Sequence, residues 1–295
     1  MSVKVQKSFA GQGEPANCGK LYLVATPIGN LEDMTYRAVR ILREADIIAA
    51  EDTRQTRKLL SHFEITPGKL LSYHEHNRLA SGPELIRFII EGKNLALVSD
   101  AGLPAISDPG SDLVKLAIEA GISVVPVPGA TAALSALIVS GLPTDHFKFI
   151  GFLPREQRER EEILQKQLEE QSTLLLYESP HRLIKTLESM LSVLGDRRVV
   201  LARELTKRFE EMARGTIQEC LEWLEEHPPM GEYCIVLEGA DPKQLEEKRN
   251  AWWQPLSIQE HVAHYEAEGL ARKEAMKKAA LDRGVSKRDI YQSLL

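Results

Sequence analysis

Cysteine is scarce in this chain: Cys18, Cys220 and Cys234 are the three in 295 residues. Their odd number and wide spacing exclude a disulfide framework and a cysteine zinc site, and a reducing cytoplasm is the expected setting. A long uninterrupted apolar run is also missing. Residues 124–143 carry no charge, a length that would suit a membrane span. Pro126, Pro128 and Gly129 break that stretch, which reads instead as a strand, a tight turn and a buried small-residue helix. No membrane association is expected. Residues 1–19 hold Lys4 and Lys7 but no apolar core of signal-peptide length, and read as a mobile extension. Their Gly11-Gln12-Gly13 precedes any strand and so is no nucleotide loop. Positive charge is not in excess either, since the net charge is −6. Broad nonspecific binding to nucleic acid, which phosphate neutralisation drives, is disfavoured, but a local basic face is not.

Two glycine-rich signatures are absent as well. The first strand ends Val24-Ala25-Thr26-Pro27-Ile28-Gly29-Asn30, where a dinucleotide fold would place Gly-x-Gly-x-x-Gly, and no phosphate-binding P-loop occurs. These absences count against a nicotinamide dehydrogenase, a nucleoside triphosphatase and the commonest methyltransferase fold.

What is present is alternation. Strands are expected at 21–25, 47–50, 70–73, 94–98 and 123–127, with helices at 35–44, 54–62, 83–91 and 112–119 between them. Short β-branched runs separated by amphipathic helices indicate an α/β domain with a parallel sheet covered on both faces. Gly141-Leu142-Pro143-Thr144 is a joint, because a glycine helix stop followed by proline ends the buried helix. A second α/β domain follows, with strands at 147–152, 173–177, 199–202 and 234–237 and helices at 156–170, 183–194 and 216–226. The helix from residue 155 to 170, almost wholly charged or amide-bearing, reads as a solvated face. The expected organisation is an extension over 1–19, α/β domains over 20–142 and 143–240 with a cleft between them, a linker over 241–255, and a small helical domain over 256–295. In that tail, helices at 258–266, 272–282 and 286–294 joined at Gly269 and Gly284 resemble a helix-turn-helix. Between residues 271 and 288 it carries Arg272, Lys273, Lys277, Lys278, Arg283, Lys287 and Arg288 against Glu274 and Asp282. This is a basic face, or else a solvated helical cap.

Three strand ends of the first sheet carry unusual loops. The most informative is 97–110, where an apolar strand ending at Val98 runs into Ser99-Asp100-Ala101-Gly102-Leu103-Pro104, with Ser111 or Asp112 placed to cap the next helix. It reads as a ligand loop, or as an ordinary capped turn. Pro27 makes a stiff lip after the first strand, and Pro128-Gly129-Ala130-Thr131-Ala132 opens a helix after the fifth. Ligands bind at the carboxyl ends of strands in open α/β sheets, and Asp100 there suits a ligand with hydroxyls or an amino group. Glu51-Asp52-Thr53-Arg54 and His74-Glu75-His76-Asn77 follow the second and third strands. His74 and His76 could be read as metal ligands, but no Cys or further His stands at a supporting spacing, so no metal is expected. Together with Arg54 and Arg57 they suit hydrogen bonding to a substrate phosphate or ribose. In the second domain Glu178-Ser179-Pro180-His181-Arg182 and Arg203-Glu204-Leu205-Thr206-Lys207 also follow strands, and would face the first set across the cleft.

Those motifs, with Asp108-Pro109-Gly110 and Gly151-Phe152-Leu153-Pro154, together resemble the ribosomal RNA small subunit methyltransferase I family of the tetrapyrrole methylase superfamily, from about Gly19 to the C-terminus. The resemblance implies two α/β domains holding S-adenosylmethionine between them, a homodimer, and methylation of the ribose 2′-hydroxyl of a cytidine in the decoding region of small-subunit (16S) rRNA. By position, cofactor contacts fall on Pro27, Val98, Ser99, Asp100, Leu103, Thr131 and Ala132, with second-domain contacts near Glu178 and Leu205. Substrate contacts fall to Arg54, Arg57, His74, His76, His181 and Arg182, and in the tail to Arg272, Lys273, Lys277, Lys287 and Arg288. Ser99-Asp100-Ala101 stands where porphyrinoid enzymes carry Gly-Asp-Pro, which favours the RNA branch. Arg78 stands where the family often has an acid, leaving the role of the histidine loop open.

For such a reaction positioning does most of the work, and a base taking the hydroxyl proton would help. Glu204 and Lys207 are the candidates. Lys207 could accept a proton only if its pKa were lowered, and would otherwise hold phosphate; a plain ion pair between the two is the alternative. Two rival functions remain at this point. One is methylation of a porphyrinoid ring, which leaves the basic tail unexplained, and the other is a noncatalytic RNA-binding assembly factor.

Overall fold

The computed structural model describes residues 5–6, 18–250 and 252–294. Most of the expected N-terminal extension lies outside them. The chain divides into two compact units, one containing both sheets and one formed by residues 166–172 with the chain from Gly239 onward.

In the first sheet β1 (Leu21–Val24), β2 (Ile47–Ala50), β3 (Lys69–Ser72), β4 (Leu95–Val98) and β5 (Val124–Val127) lie in the order β3-β2-β4-β1-β5. All four pairings are parallel. Helices α1 (Tyr36–Glu44), α2 (Thr53–His62), α3 (Arg78–Ile90) and α4 (Ser111–Glu119) connect them. Alternation along β4 feeds two cores. Leu95 and Leu97 pack with Leu21, Ile89 and Leu113, while Ala96 and Val98 pack with Val24, Ile41 and Leu60. Burial of both faces explains why β2 and β4 are continuous apolar runs.

Two helix starts differ from expectation. Gly110 is the N-cap of α4 with no side-chain bond, so neither Ser111 nor Asp112 caps it. Asp112 instead accepts from Arg78 at 2.6 Å. The helix α3 begins at Arg78, ahead of Pro83, because the turn closed by Asn77 Oδ1 on the His74 N–H at 2.8 Å winds straight into it.

The second sheet is mixed. Its strands β6 (Phe147–Phe152), β7 (Thr173–Glu178), β8 (Arg198–Arg203), β9 (Glu211–Thr216) and β10 (Tyr233–Leu237) run in the order β6-β7-β10-β8-β9. Only β6 and β7 pair in parallel. The edge strand β9 was not expected from its sequence. The helix α5 (Ala132–Ser140) ends at Gly141 in the left-handed conformation and packs against this second sheet, with Ala133, Ala136 and Leu137 on Leu175, Ala202 and Val236. Around the sheet lie α6 (Gln157–Gln165), α7 (Pro180–Leu194) and α8 (Ile217–Glu226). The face expected to be solvated is not wholly so. The helix α6 stops at Gln165, Leu164 is buried, and the buried Arg160 donates to Ser189 Oγ at 2.9 Å.

In the other unit, the stretch expected as a linker contains α9 (Pro242–Asn250). Three further helices follow, α10 (Ile258–Ala267), α11 (Arg272–Arg283) and α12 (Lys287–Ser293), around Val262, Tyr265, Ala275, Ala279 and Ile290. Turns at Gly269 and Gly284 take φ of 93° and 64°. The fully buried His261 stands between Asp282, 3.2 Å from its Nε2, and the Arg283 Nε, which donates to its Nδ1 at 3.0 Å. Burial and then Arg283 lower its pKa, so the imidazole is neutral with its proton on Nε2. No helix among the described residues is long and apolar enough to cross a membrane.

Candidate active site

The loops after β1 and β4 are locked together by hydrogen bonds. Thr26 and Gly102 exchange N–H···O bonds of 2.9 and 3.1 Å, and Thr26 Oγ1 donates to Ser99 O at 3.1 Å. The second sheet reaches this lip through the turn after β8. Asn30 N–H donates to Thr206 Oγ1 at 3.1 Å, and a Cβ on Gly29 would lie 2.4 Å from Lys207 Cγ, so only glycine admits the approach. In that turn Glu204 and Thr206 take φ of 48° and 66°, strain of a kind that collects at functional sites.

These elements enclose a cavity of about 560 Å³, within the usual range for a small-molecule site. Asp100, Leu103, Thr131 and Ala132 line it from one side, and Glu178, Glu204, Leu205 and Lys207 from the other. A second hollow of about 590 Å³ shares Ile28, Asp100 and Lys207 with it and is bordered by Pro27, Ser99, Gln55 and Lys58. Of the expected cofactor residues, only Val98 lines neither; its side chain belongs to the core. The lining fits a ligand that is cationic and free of polyphosphate, because its ionic groups are mostly carboxylates, Asp100, Asp108, Glu178, Glu204 and Glu232 against Lys207.

Asp100 Oδ1 accepts the Asp52 N–H at 3.1 Å, and burial raises its pKa. Beside it a pair not expected as site residues comes together, since Asp108 hydrogen-bonds both Glu51 and Ser99. Burial first, then the bond to Asp108 and its charge, push Glu51 up to about 7. Burial raises Asp108 as well. Glu51 and Asp108 stand in separate sequence motifs, Glu51-Asp52-Thr53-Arg54 and Asp108-Pro109-Gly110, and nothing in the sequence says that they meet.

Lys207 Nζ donates to Glu204 Oε1 at 3.0 Å and to Glu232 Oε2 at 2.7 Å. Burial works against its charge, but the bonds to Glu232 and Glu204 outweigh that and raise its pKa. Lys207 is therefore a held cation, and the lowered pKa that a proton-accepting lysine needs is absent. Burial likewise opposes the Glu204 charge, and the Glu232 N–H and Lys207 overcome it, so its pKa is lowered. Glu178, 2% exposed, accepts from Ser179 N–H at 2.8 Å and Thr186 Oγ1 at 2.7 Å.

Other expected residues lie further out. Arg54 pairs with Asp52 at 2.7 Å, and Arg57 is exposed. His74 Nδ1 is buried without a partner, and His76 is exposed. Arg78 closes that loop through Glu75 at 2.8 Å and Asp112. Among the described residues no three His, Cys, Asp or Glu side chains are arranged to hold a metal ion. His181 is exposed, whereas Arg182 is engaged with the carbonyls of Leu153 and Pro154. In the helical unit Arg272, Lys273, Lys277 and Arg288 are exposed and Lys287 is half-buried.

A profile of the tetrapyrrole (corrin/porphyrin) methylases matches residues 20–221. The chain is 55% identical over 289 residues to a ribosomal RNA small subunit methyltransferase I of Halalkalibacterium halodurans, covering 98% of each. It is 51% identical to the protein of the same name from Bacillus subtilis, covering 98% of this chain and 97% of that one. A solved structure, the methyltransferase CobJ, superposes with a TM-score of 0.58 at 20% identity, over 75% of this chain and 95% of that one, which shows the shared fold. The chain thus belongs to the tetrapyrrole methylase family, within its ribosomal RNA small subunit methyltransferase I branch.

Proposed function

We propose that this protein transfers a methyl group from S-adenosylmethionine to the ribose 2′-hydroxyl of a cytidine in the decoding region of 16S rRNA. The observation that carries this reading is near-full-length identity of 55% to a ribosomal RNA small subunit methyltransferase I. The acid-lined cavity, with no phosphate loop, is in keeping with it. When bound, S-adenosylmethionine supplies a methyl on a sulfonium whose departure as a neutral thioether needs no acid. Asp100, Leu103, Thr131, Ala132, Glu178 and Leu205 would hold it from the cavity, with Pro27 and Ser99 on the adjoining face; Val98, which lines neither hollow, would support them from the core.

With Lys207 protonated, the roles we assign within the pair are distinct. Glu204 takes the hydroxyl proton and Lys207 holds a phosphate of the RNA. The 2′-hydroxyl itself separates RNA from DNA. We assign Arg54, Arg57, His74, His76, His181 and Arg182 to the substrate side, with Arg182 acting through the loop it pins. The helical tail, residues 256–295, docks the RNA through Arg272, Lys273, Lys277, Lys287 and Arg288. We place the protein in the cytoplasm, in keeping with the absence of a disulfide among the described cysteines.

A homodimer is part of the same proposal. Supporting it, Leu134, Ile138 and Val139 on α5 are 42%, 76% and 44% exposed, an apolar strip that a second copy would cover. Ile138→Asp should then sediment as a monomer, and an unchanged sedimentation coefficient would count against this face. The functional reading is tested by incubating labelled S-adenosylmethionine with the protein and purified small subunits. Label should pass to the rRNA; its absence would contradict the proposal.

A further inference from the structure

Two apolar side chains stand at the mouth of the cavity with much of their surface in water. Phe152 is 56% exposed and Ile106 47% exposed, and both line the cavity. Unusual backbone aims each one. Ile106 sits between Ala105 at φ 70° and Ser107 at φ 56°, a region that side chains other than glycine and asparagine seldom adopt. Phe152 follows Gly151, at φ 74°, where the pairing of β6 with β7 shifts register between Phe149 and Gly151. Such bulges re-aim a side chain beside active sites. The two segments meet there, since a Cβ on Gly151 would lie 3.2 Å from Ser107 Oγ.

The Phe152 ring is also backed. Tyr177 lies behind it with ring centroids 5.6 Å apart, and Phe149 stands edge-on to Tyr177 at 5.2 Å. Arg182 holds the chain just beyond, through the carbonyls of Leu153 and Pro154. A strained loop and a bulged strand, from different sheets, therefore converge to keep apolar surface in water. A folded chain tolerates that combination where a ligand covers the surface during function.

We propose that Phe152 and Ile106 form a clamp for the base of the acceptor nucleotide, Phe152 as the face on which it stacks and Ile106 as the apolar wall beside it. This rests on methyl transfer to an RNA ribose as proposed above. The occupant follows from size and exposure. A small cofactor can lie among the covered inner residues, such as Leu205, Tyr233 and Cys234, but an RNA can meet the cavity only at its mouth. A nucleotide whose ribose must reach the inner groups has to leave its stack, and extruded bases are received on aromatic and apolar side chains. Stacking tolerates any base, so the clamp supplies affinity and position rather than a choice of cytosine.

The test uses full-length F152A, F152W and I106S with small subunits and labelled S-adenosylmethionine. F152A should raise the KM for subunits about tenfold, I106S should shift it in the same direction, and both should keep the Kd for S-adenosylmethionine within about twofold of wild type. F152W, which keeps an aromatic face, should restore the KM. An unchanged KM in F152A would overturn the clamp. So would a cofactor Kd that weakens in step with KM, which would put the cofactor's adenine on this ring. If wild type methylates subunits while the variants match it, only the clamp falls. If wild type transfers no methyl, the functional reading falls first.

Discussion

Asp100 Oδ1 receives the backbone N–H of Asp52 at 3.1 Å, so the end of β2 fixes the acid that follows β4. That bond leaves the second carboxylate oxygen to the cavity. Asp100→Ala should weaken S-adenosylmethionine binding by about 10- to 100-fold, the scale of one charge-assisted hydrogen bond. Asp100→Asn, which can still accept from Asp52, should lose less. Calorimetric Kd values decide it, and wild-type affinity in Asp100→Ala would remove Asp100 from the cofactor site.

Glu51 gives a pH dependence with a definite sign. Its pKa rises from 4.5 to about 7 on folding, through burial first and then Asp108. Asp108 itself is raised, and Asp52 and His74 also act on Glu51. A carboxyl raised by folding stabilises fully below its unfolded pKa, and that contribution is lost as pH rises through the folded value. Between about pH 5 and about pH 8 the wild-type Tm should therefore fall more than that of Glu51→Gln. Parallel Tm profiles for the two proteins would show that folding does not raise the Glu51 pKa.

Glu204 and Lys207 are assigned separable effects. Glu204→Gln should slow single-turnover methyl transfer about 100-fold, within the range for loss of a positioned base, with cofactor affinity retained. Lys207→Met should act mainly on the KM for subunits. Wild-type single-turnover rates in both variants would reduce the pair to an ion pair with no part in the chemistry.

The basic face of the helical unit should appear as a salt effect. Replacing the exposed Lys273 and Lys277 together by Glu should weaken subunit binding and lower the slope of log K against log salt by about 0.7 to 0.9 for each phosphate no longer neutralised. Cofactor affinity should not move. An unchanged slope would mean that this face is a solvated cap.

Legibility from sequence followed how local the cause was. The strands β2 and β4 were readable because both faces are buried and every residue in Ile47–Ala50 and Leu95–Val98 is apolar. The strand β9, Glu211-Met212-Ala213-Arg214-Gly215-Thr216, has no such pattern and owes its form to pairing with β8. Asp100 stood out because a rigid loop directly follows a strand. Glu51 and Asp108 each sat in a visible motif, but their meeting depends on β2 lying next to β4 in a sheet whose order is not sequential. Likewise Arg160 read as one more charge on a polar helix, and only the packing of α6 on α7 buries it against Ser189.

Mass-spectrometric mapping of the labelled product decides whether the methyl goes to a cytidine ribose in 16S rRNA. After reaction with small subunits, nuclease digestion should yield one labelled nucleoside, a 2′-O-methylcytidine from the decoding region. Label on a base, on another nucleoside, or on a porphyrinoid ring in preference to rRNA would contradict the account.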